Sequence, residues 1–333
     1  MTKKFSWIAV GLSLMIFASL NLTMVSSIAP SLFTKQLFAW ILGLGLFFLG
    51  RFLNPKQLSA YQWPIFIFSI LLLISPLVIG NFIRGSRRWL SLGPINLQPS
   101  EITKPLLMIF IATSSQPLFH LAAVLLIALE PDLGSALSVL ILLTPVILTN
   151  RRILKISLLI LIIGLVLSPF IWQHVLKDYQ RQRLTTFINP QTNPLDGGYH
   201  VIQSKIAIGS GGFWGKGYKK GTQGQLLFLP EKHTDFIFAA TAEELGLAAV
   251  ILILIAYFLL SSSLLNHAYS LSDNRPLFIF NLGIFFLIWF QFFVNIGMNL
   301  GIMPVTGIPL PFLSVGTSSL ISFLFSLGIC FSD

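Results

Sequence analysis

Charge is what this 333-residue sequence has least of. Only 10% of its residues are Asp, Glu, Lys or Arg, against about 25% in a soluble domain. With 55% hydrophobic residues and a mean hydropathy of +0.84, that scarcity excludes an ordinary soluble globular domain. Cysteine is nearly absent. Cys330 stands alone, which excludes a disulfide framework and any cysteine metal site. Internal repeats and low-complexity linkers are missing too, which leaves one domain, residues 1–333. Phosphate-loop signatures also fail. GSGGFW lacks the last glycine of GxGxxG, and Gly215-Lys216 lacks the upstream glycine and the following Ser or Thr of a Walker loop.

What is present is a succession of apolar runs near the ~20 residues that cross a bilayer. In lipid each must be a helix, because every backbone polar group needs a partner within its own segment. The fold class is therefore an all-α polytopic membrane protein. Ten helices are expected, at 5–26, 33–51, 61–82, 99–115, 117–130, 133–150, 154–174, 236–262, 275–298 and 315–331. The stretch after Lys3 and Lys4 resembles a signal peptide, but the many later spans make it a retained first helix. With the N-terminus inside, the short inner loops hold Lys3, Lys4, Arg51, Lys56, Arg151, Arg152, Lys155 and Arg275. The short outer ones hold only Lys35, Arg84, Arg87 and Arg88. Both termini are expected in the cytoplasm, with a long extracytoplasmic loop, 175–235, between helices seven and eight. The net charge of +10 then reflects topology and phosphate-bearing lipids rather than nucleic acid.

Two outer loops are basic against the usual rule, and an anionic ligand is one reason for cations on that side. The long loop alternates aromatic, apolar and glycine positions, so it is expected to pack, and VIQSKIAI has the spacing of a helix lying on the membrane surface. In RGSRRWLSLGPINLQPSEITKP (84–105), Trp89 suits either an interface anchor or a platform for a sugar face. Glu101 and Lys104 share a helix face; they mark either a functional cavity or a salt bridge that seats the helix.

FLPEKHTDFIFAATAEELG (228–246) gathers four of the eleven acidic residues at the start of an apolar run. Asp235 there is either an N-cap or an acid placed for chemistry. Glu243 and Glu244 are expected to line or support a cavity below it, and Glu231 reads as a solvated loop residue. Glu130 and Asp132, in the turn EPDLGS, read as structural. The stretch 295–319, rich in Pro and Gly, is irregular backbone of the kind tolerated at membrane depth only where it is buried or lines a cavity. An outer-facing acid, basic loops, an aromatic and a polar cavity together suit a sugar carried on a lipid diphosphate.

The segments GSRRWLSLGPINLQPSEITK, EPDLGSAL, the whole of 178–246 and NIGMNLGIMPVTGIPLPFLS resemble the SEDS family, most closely its rod-shape-determining branch. The resemblance implies a ten-span peptidoglycan glycosyltransferase at the outer face of the cytoplasmic membrane. Such an enzyme joins lipid II units with inversion and releases undecaprenyl diphosphate. The family's essential Asp falls on Asp235, its essential outer-loop Trp on Trp89, and the Glu and Lys of its fourth helix on Glu101 and Lys104. Expected partners are a class B penicillin-binding protein transpeptidase and the elongation machinery organised by MreB. Departures are Ser314-Val315-Gly316-Thr317 in place of SYGG, a short SSQP turn, and Pro105 where an aliphatic is usual, which is expected to kink helix four.

On this reading Asp235 is the general base, Glu101 and Lys104 position or tune it, and Arg87, Arg88, Arg181, Arg183 and Lys205 are candidates to hold the diphosphates. No ligand spacing demands a metal. Asp and Glu beside a diphosphate also suit a divalent cation, Mg²⁺ or Mn²⁺, and basic loops supply the same neutralisation without one. Two rivals stand beside the polymerase. One is a lipid II flippase, which would need critical polar residues on both faces. The other is a non-catalytic scaffold for a transpeptidase, which leaves the acid among cations without a purpose.

Overall fold

The computed structural model describes residues 3–83, 86–92, 95–175, 178–188, 197–226 and 228–332. Three helices come first: α1 (Lys3–Ile28), α2 (Phe33–Gly50) and α3 (Gln62–Ile79). An antiparallel meander of β1 (Asn81–Ile83), β2 (Ser86–Leu92) and β3 (Ile95–Leu97) follows. Then come α4 (Pro99–Thr113), α5 (Leu121–Leu129), α6 (Leu133–Leu140), α7 (Thr144–Thr149), α8 (Arg151–Val166) and α9 (Ser168–Phe170). The long connection carries α10 (Asp178–Ile188), α11 (Gly197–Ser210) and α12 (Thr222–Gln225). The chain closes with α13 (Ile237–Ser270), α14 (Arg275–Leu300) and α15 (Thr317–Cys330).

Five helical segments among the described residues are long and apolar enough to cross a membrane: Ser6–Ile28, Pro30–Gly50, Gln57–Ile79, Ile237–Ser270 and Arg275–Leu300. Arg151–Val166 and Ser168–His174 form a further apolar pair bent by 56°, and Pro117–Leu129, Leu133–Thr149 and Thr317–Cys330 are shorter apolar helices. Met15, Phe48, Phe68, Leu161 and Phe258 face outward, more than half exposed. Apolar surface of that extent needs lipid to cover it, and the chain is a multi-pass membrane protein.

Helices pack where small residues let backbones approach. A Cβ on Gly328 of α15 would lie 2.1 Å from the Phe47 carbonyl oxygen of α2, and one on Gly283 of α14 would lie 2.1 Å from the Met108 sulfur of α4. α4 packs against α3, α14 and α15, so the helix that carries Glu101 and Lys104 is enclosed. Pro105 does not interrupt it. The missing N–H leaves the carbonyl of Glu101 without its usual intrahelical donor, and the Ser322 hydroxyl of α15 supplies one at 2.6 Å. The meander at 81–97 was not expected from the sequence. Its registers pair Asn81 with Trp89 and Leu90 with Leu97.

α13 has 34 residues, about 51 Å at 1.5 Å per residue, well beyond the ~30 Å of hydrocarbon. It is broken at Gly246, whose φ is 71° and ψ is −169°. The loop 212–217 enters that break. Lys216 and Gly217 donate N–H bonds of 2.9 Å to the carbonyls of Glu243 and Glu244, while Leu247 and Ala248 donate to the carbonyls of Gly212 and Phe213. The two glutamates clamp the next stretch. Glu243 accepts from Lys216 Nζ at 2.7 Å, Thr222 Oγ1 at 3.0 Å and the Gln223 and Gly224 amides at 2.9 and 3.2 Å. Glu244 accepts from Ser27 Oγ of α1 at 2.5 Å and Gln225 Nε2 at 2.8 Å. Of the two expectations for these carboxylates, lining a cavity below Asp235 is not met, since neither is on its wall; they support it instead by holding the long connection, which supplies the partners that buried acids need.

VIQSKIAI is likewise not simply laid on the membrane surface. It is part of α11, which buries Val201, Ser204 and Ala207 against α13 and α14 and turns Ile202 and Ile206 outward.

The break depends on glycine. A Cβ on Gly215 (φ +78°) would lie 2.2 Å from the Glu244 carbonyl oxygen, whereas one on Gly212 (φ +60°) would meet nothing within 4 Å. Gly212→Ala should therefore cost only the left-handed penalty, about 1–2 kcal/mol. Gly215→Ala should fail to give a stably folded protein. Thermal unfolding of the detergent-solubilised variants separates them, and equal melting temperatures would refute this account.

Candidate active site

Asp235 lies two residues before α13, whose N-cap is Phe236, in the turn Glu231–Phe236. Three successive carbonyls fix this turn. Val315 donates its N–H to the His233 carbonyl at 2.9 Å. Ser314 Oγ donates to that of Thr234 at 2.6 Å. Asn295 and Asn299 of α14 both donate to that of Asp235 at 3.0 Å. Ser314 and Gly316 are the residues of SYGG that this stretch retains, so the substituted stretch keeps its grip on the turn through Ser314. Asn295 also holds the Ile308 carbonyl at 2.8 Å, which ties the irregular segment 301–316 to the same point. Glu231 has φ +48°, a conformation sparsely used by non-glycine residues. Its carbonyl accepts from the amides of Thr234 at 3.1 Å and Phe236 at 3.2 Å.

With its backbone held, the half-buried Asp235 side chain lines a cavity of about 320 Å³. Gly307, at φ +73°, backs the carboxylate: a Cβ there would sit 3.6 Å from Asp235 Oδ2. Arg88 and Trp89 of β2, Glu101 of α4, Asp132 before α6, Arg183 of α10 and Glu231 line the same cavity. The structure thus brings together Asp235, Glu101, Trp89, Arg88 and Arg183 among the expected site residues.

Lys104 is placed behind the wall. It is 1% exposed, with Nζ 2.6 Å from Glu101 Oε1 and 5.9 Å from the centre of the Phe323 ring. Glu101 Oε2 is buried and has no hydrogen-bond partner among the described residues, as is Ser100 Oγ. Unfilled acceptors of this kind are rare in folded proteins and ask for an explanation.

Two expected anion ligands lie off the cavity wall. Arg181 donates from Nη2 to the Gln173 carbonyl at 2.8 Å. Lys205 is on the exposed side of α11 and lies over Gly301, where a Cβ would come within 2.6 Å of its Nζ. Arg84 and the Arg87 side chain fall outside the described residues.

Asp132, read as structural, and Glu231, read as a solvated loop residue, also line the cavity. Asp132 caps α6 by accepting from Ser135 N at 3.0 Å and pairs with Arg88 Nη1 at 3.1 Å. Glu231 faces the cavity instead of open solvent; its position four residues before Asp235 in one tight turn was the available signal. Among the described residues no three His, Cys, Asp or Glu side chains gather closely enough to hold a metal ion. Chemically, the site offers a carboxylate able to accept a proton, guanidinium groups able to hold an anionic ester, and an indole beside them.

The family described as "Cell cycle protein", FtsW/RodA/SpoVE, matches residues 2–332. Peptidoglycan glycosyltransferase MrdB of Escherichia coli (strain K12) is 35% identical over 96% of this chain and 90% of its own. A probable peptidoglycan glycosyltransferase FtsW of Coxiella burnetii is 34% identical over 89% of this chain and 84% of its own. Among solved structures, a chain from a study of how a peptidoglycan synthase complex coordinates polymerization and crosslinking superposes with a TM-score of 0.82 at 34% identity, covering 98% of this chain and 96% of that one. The rod shape determining protein RodA of Thermus thermophilus gives 0.67 at 32% identity, covering 98% and 95%. The agreement runs from the first helix to the last and takes in every segment that lines the cavity: this chain belongs to the FtsW/RodA/SpoVE family of cell cycle proteins.

Proposed function

We propose that this protein is a peptidoglycan glycosyltransferase that polymerises lipid II at the outer face of the cytoplasmic membrane during cell elongation. The observation that carries the reading is Asp235, its backbone held at three successive carbonyls and its carboxylate in a cavity shared with Arg88 and Arg183. The names of its relatives support it. In this reading the chain crosses the membrane ten times with both ends in the cytoplasm. The connection 175–235 and the meander at 81–97 then lie on the outer side, where the cavity meets the substrate.

Asp235 takes the proton from the 4-hydroxyl of the acceptor sugar as that oxygen bonds to the anomeric carbon of the donor. The bond from that carbon to the lipid diphosphate breaks on the opposite side, which inverts the centre. Undecaprenyl diphosphate leaves with the bonding electrons, its charge balanced by Arg88 and Arg183. Arg87 is a further candidate for that task. Trp89 offers a face for a sugar ring. Glu101, neutralised on one oxygen by Lys104, keeps Oε2 for a donor on the substrate. A divalent cation would take most of its ligands from the diphosphate, with one or two carboxylates. EDTA treatment followed by return of Mg²⁺ or Mn²⁺ measures whether an ion shares the task with the arginines. A class B penicillin-binding protein transpeptidase is the proposed partner that crosslinks the strands, within machinery organised by MreB.

Asp235→Asn should lower glycan synthesis from purified lipid II by at least about 100-fold while leaving lipid II binding intact, as read on gels of the polymer. Turnover equal to wild type would remove Asp235 from the chemistry. Polymer from neither protein, with lipid II still bound, would favour a flippase or a missing transpeptidase partner.

The buried pair gives a second expectation. Lys104→Met strands the Glu101 carboxylate and should cost about 3–5 kcal/mol. The double variant Glu101→Gln with Lys104→Met should recover most of that stability in thermal unfolding and yet remain poorly active. Recovery of activity together with stability would reduce the pair to a seat for α4.

A further inference from the structure

Asp132 makes more contacts than a helix cap needs. Oδ1 accepts from Ser135 N at 3.0 Å, which completes the cap. Oδ2 accepts from Ser135 Oγ at 2.9 Å, from Gln98 Nε2 at 3.3 Å and from Arg88 Nη1 at 3.1 Å. Its side chain is 7% exposed, against 31% for Arg88. A nearly enclosed carboxylate thus grips one end of a guanidinium that reaches the cavity wall.

The grip uses only Nη1. The side-on edge of a guanidinium, made by Nε and Nη2, is separate from that atom, and Arg88 Nε is buried without a hydrogen-bond partner among the described residues. An unfilled donor on a cation is costly, and an anionic oxygen is the partner that fills such an edge best. The three elements that meet here approach from different parts of the chain: Arg88 sits on β2, Gln98 caps α4, and Asp132 caps α6. Gln98 is itself held, since its N–H donates to Ser318 Oγ of α15 at 3.2 Å.

We propose that Asp132 is a positioning residue that presents the Nε–Nη2 edge of Arg88 to the diphosphate of the lipid-linked substrate. The inference rests on the glycosyltransferase reading above. Asp132 touches no substrate itself. It fixes the register of a cation on a short meander strand that would otherwise search many rotamers.

The test is a double-mutant cycle on the full chain in detergent or nanodiscs. Lipid II is the substrate, and undecaprenyl diphosphate and undecaprenyl monophosphate are the binding probes. Asp132→Asn and Asp132→Ser both keep a residue favoured at an N-cap, so thermal unfolding should stay close to wild type. Each should lower kcat/KM for lipid II roughly tenfold, part of it in kcat because Arg88 also balances the charge of the departing diphosphate. Each should also weaken undecaprenyl diphosphate more than the monophosphate. In an Arg88→Ala background the same substitutions should have almost no added effect, because the arginine they position is gone.

Wild-type kcat/KM in both Asp132 variants, or losses that multiply independently of Arg88, would overturn the proposal. So would equal loss of both phosphate probes. If wild-type protein binds lipid II but never polymerises it, the glycosyltransferase reading fails instead, and the binding arm of the cycle still decides whether Asp132 orients Arg88.

Discussion

The carbonyls of His233, Thr234 and Asp235 are held from α14 and from the segment before α15, and the site is built around that restraint. A turn at the mouth of a helix would otherwise leave its carboxylate free to sample many positions. Here two asparagines that are fully buried in α14 spend amide hydrogens on a single backbone oxygen. Desolvated amides of this kind are costly unless satisfied, so the bonds fix both partners. Asn299 extends the restraint, because its Oδ1 accepts from Ala239 N at 3.2 Å and from Ser204 Oγ at 3.3 Å. The first turn of α13, the long connection and α14 therefore share one buried polar junction.

The long connection is attached a second time, at the break in α13. A helix interrupted within an apolar segment exposes carbonyls and amides on both sides of the gap, and each needs a partner. The 212–217 loop supplies them with its own backbone, which only glycine-to-glycine contact between Gly215 and Gly246 permits. Glu243 and Glu244 then fasten 216–225 with charged and amide donors. Rigidity at this attachment and at the asparagine junction lets a long connection bring Arg183 and Glu231 to the same cavity as Asp235.

Much of this could be read directly. Apolar runs located most of the helices to within a few residues, because in lipid a backbone has almost no alternative, but α13 runs to Ser270, past the expected end at 262, and the apolar stretches 133–149 and 151–175 are each interrupted. Glu101 and Lys104 were paired by their three-residue spacing, and the pair is present at 2.6 Å. Glu243 and Glu244 support the cavity through the long connection and do not line it, a choice the sequence left open for an instructive reason. Helical rise gives their distance from Asp235 along the axis but not the side on which a loop will return, and the break at Gly246 was invisible within an apolar run. Asp132 was passed over because a capping acid and an arginine clamp look alike in a sequence of six residues.

The sequence by itself determined the medium and the inventory. A chain with so few charges must live in lipid, and its few acids and cations beside apolar runs had to be satisfied somewhere. The tertiary structure decided which of them meet. Arg88, Glu101, Asp132, Arg183 and Asp235 come from five separate segments, and their convergence depends on the packing of α4 among α3, α14 and α15 and on where the glycine loop docks. Those are long-range contacts, set by close backbone approach and by the need to pair every buried polar group, and no local pattern encodes them.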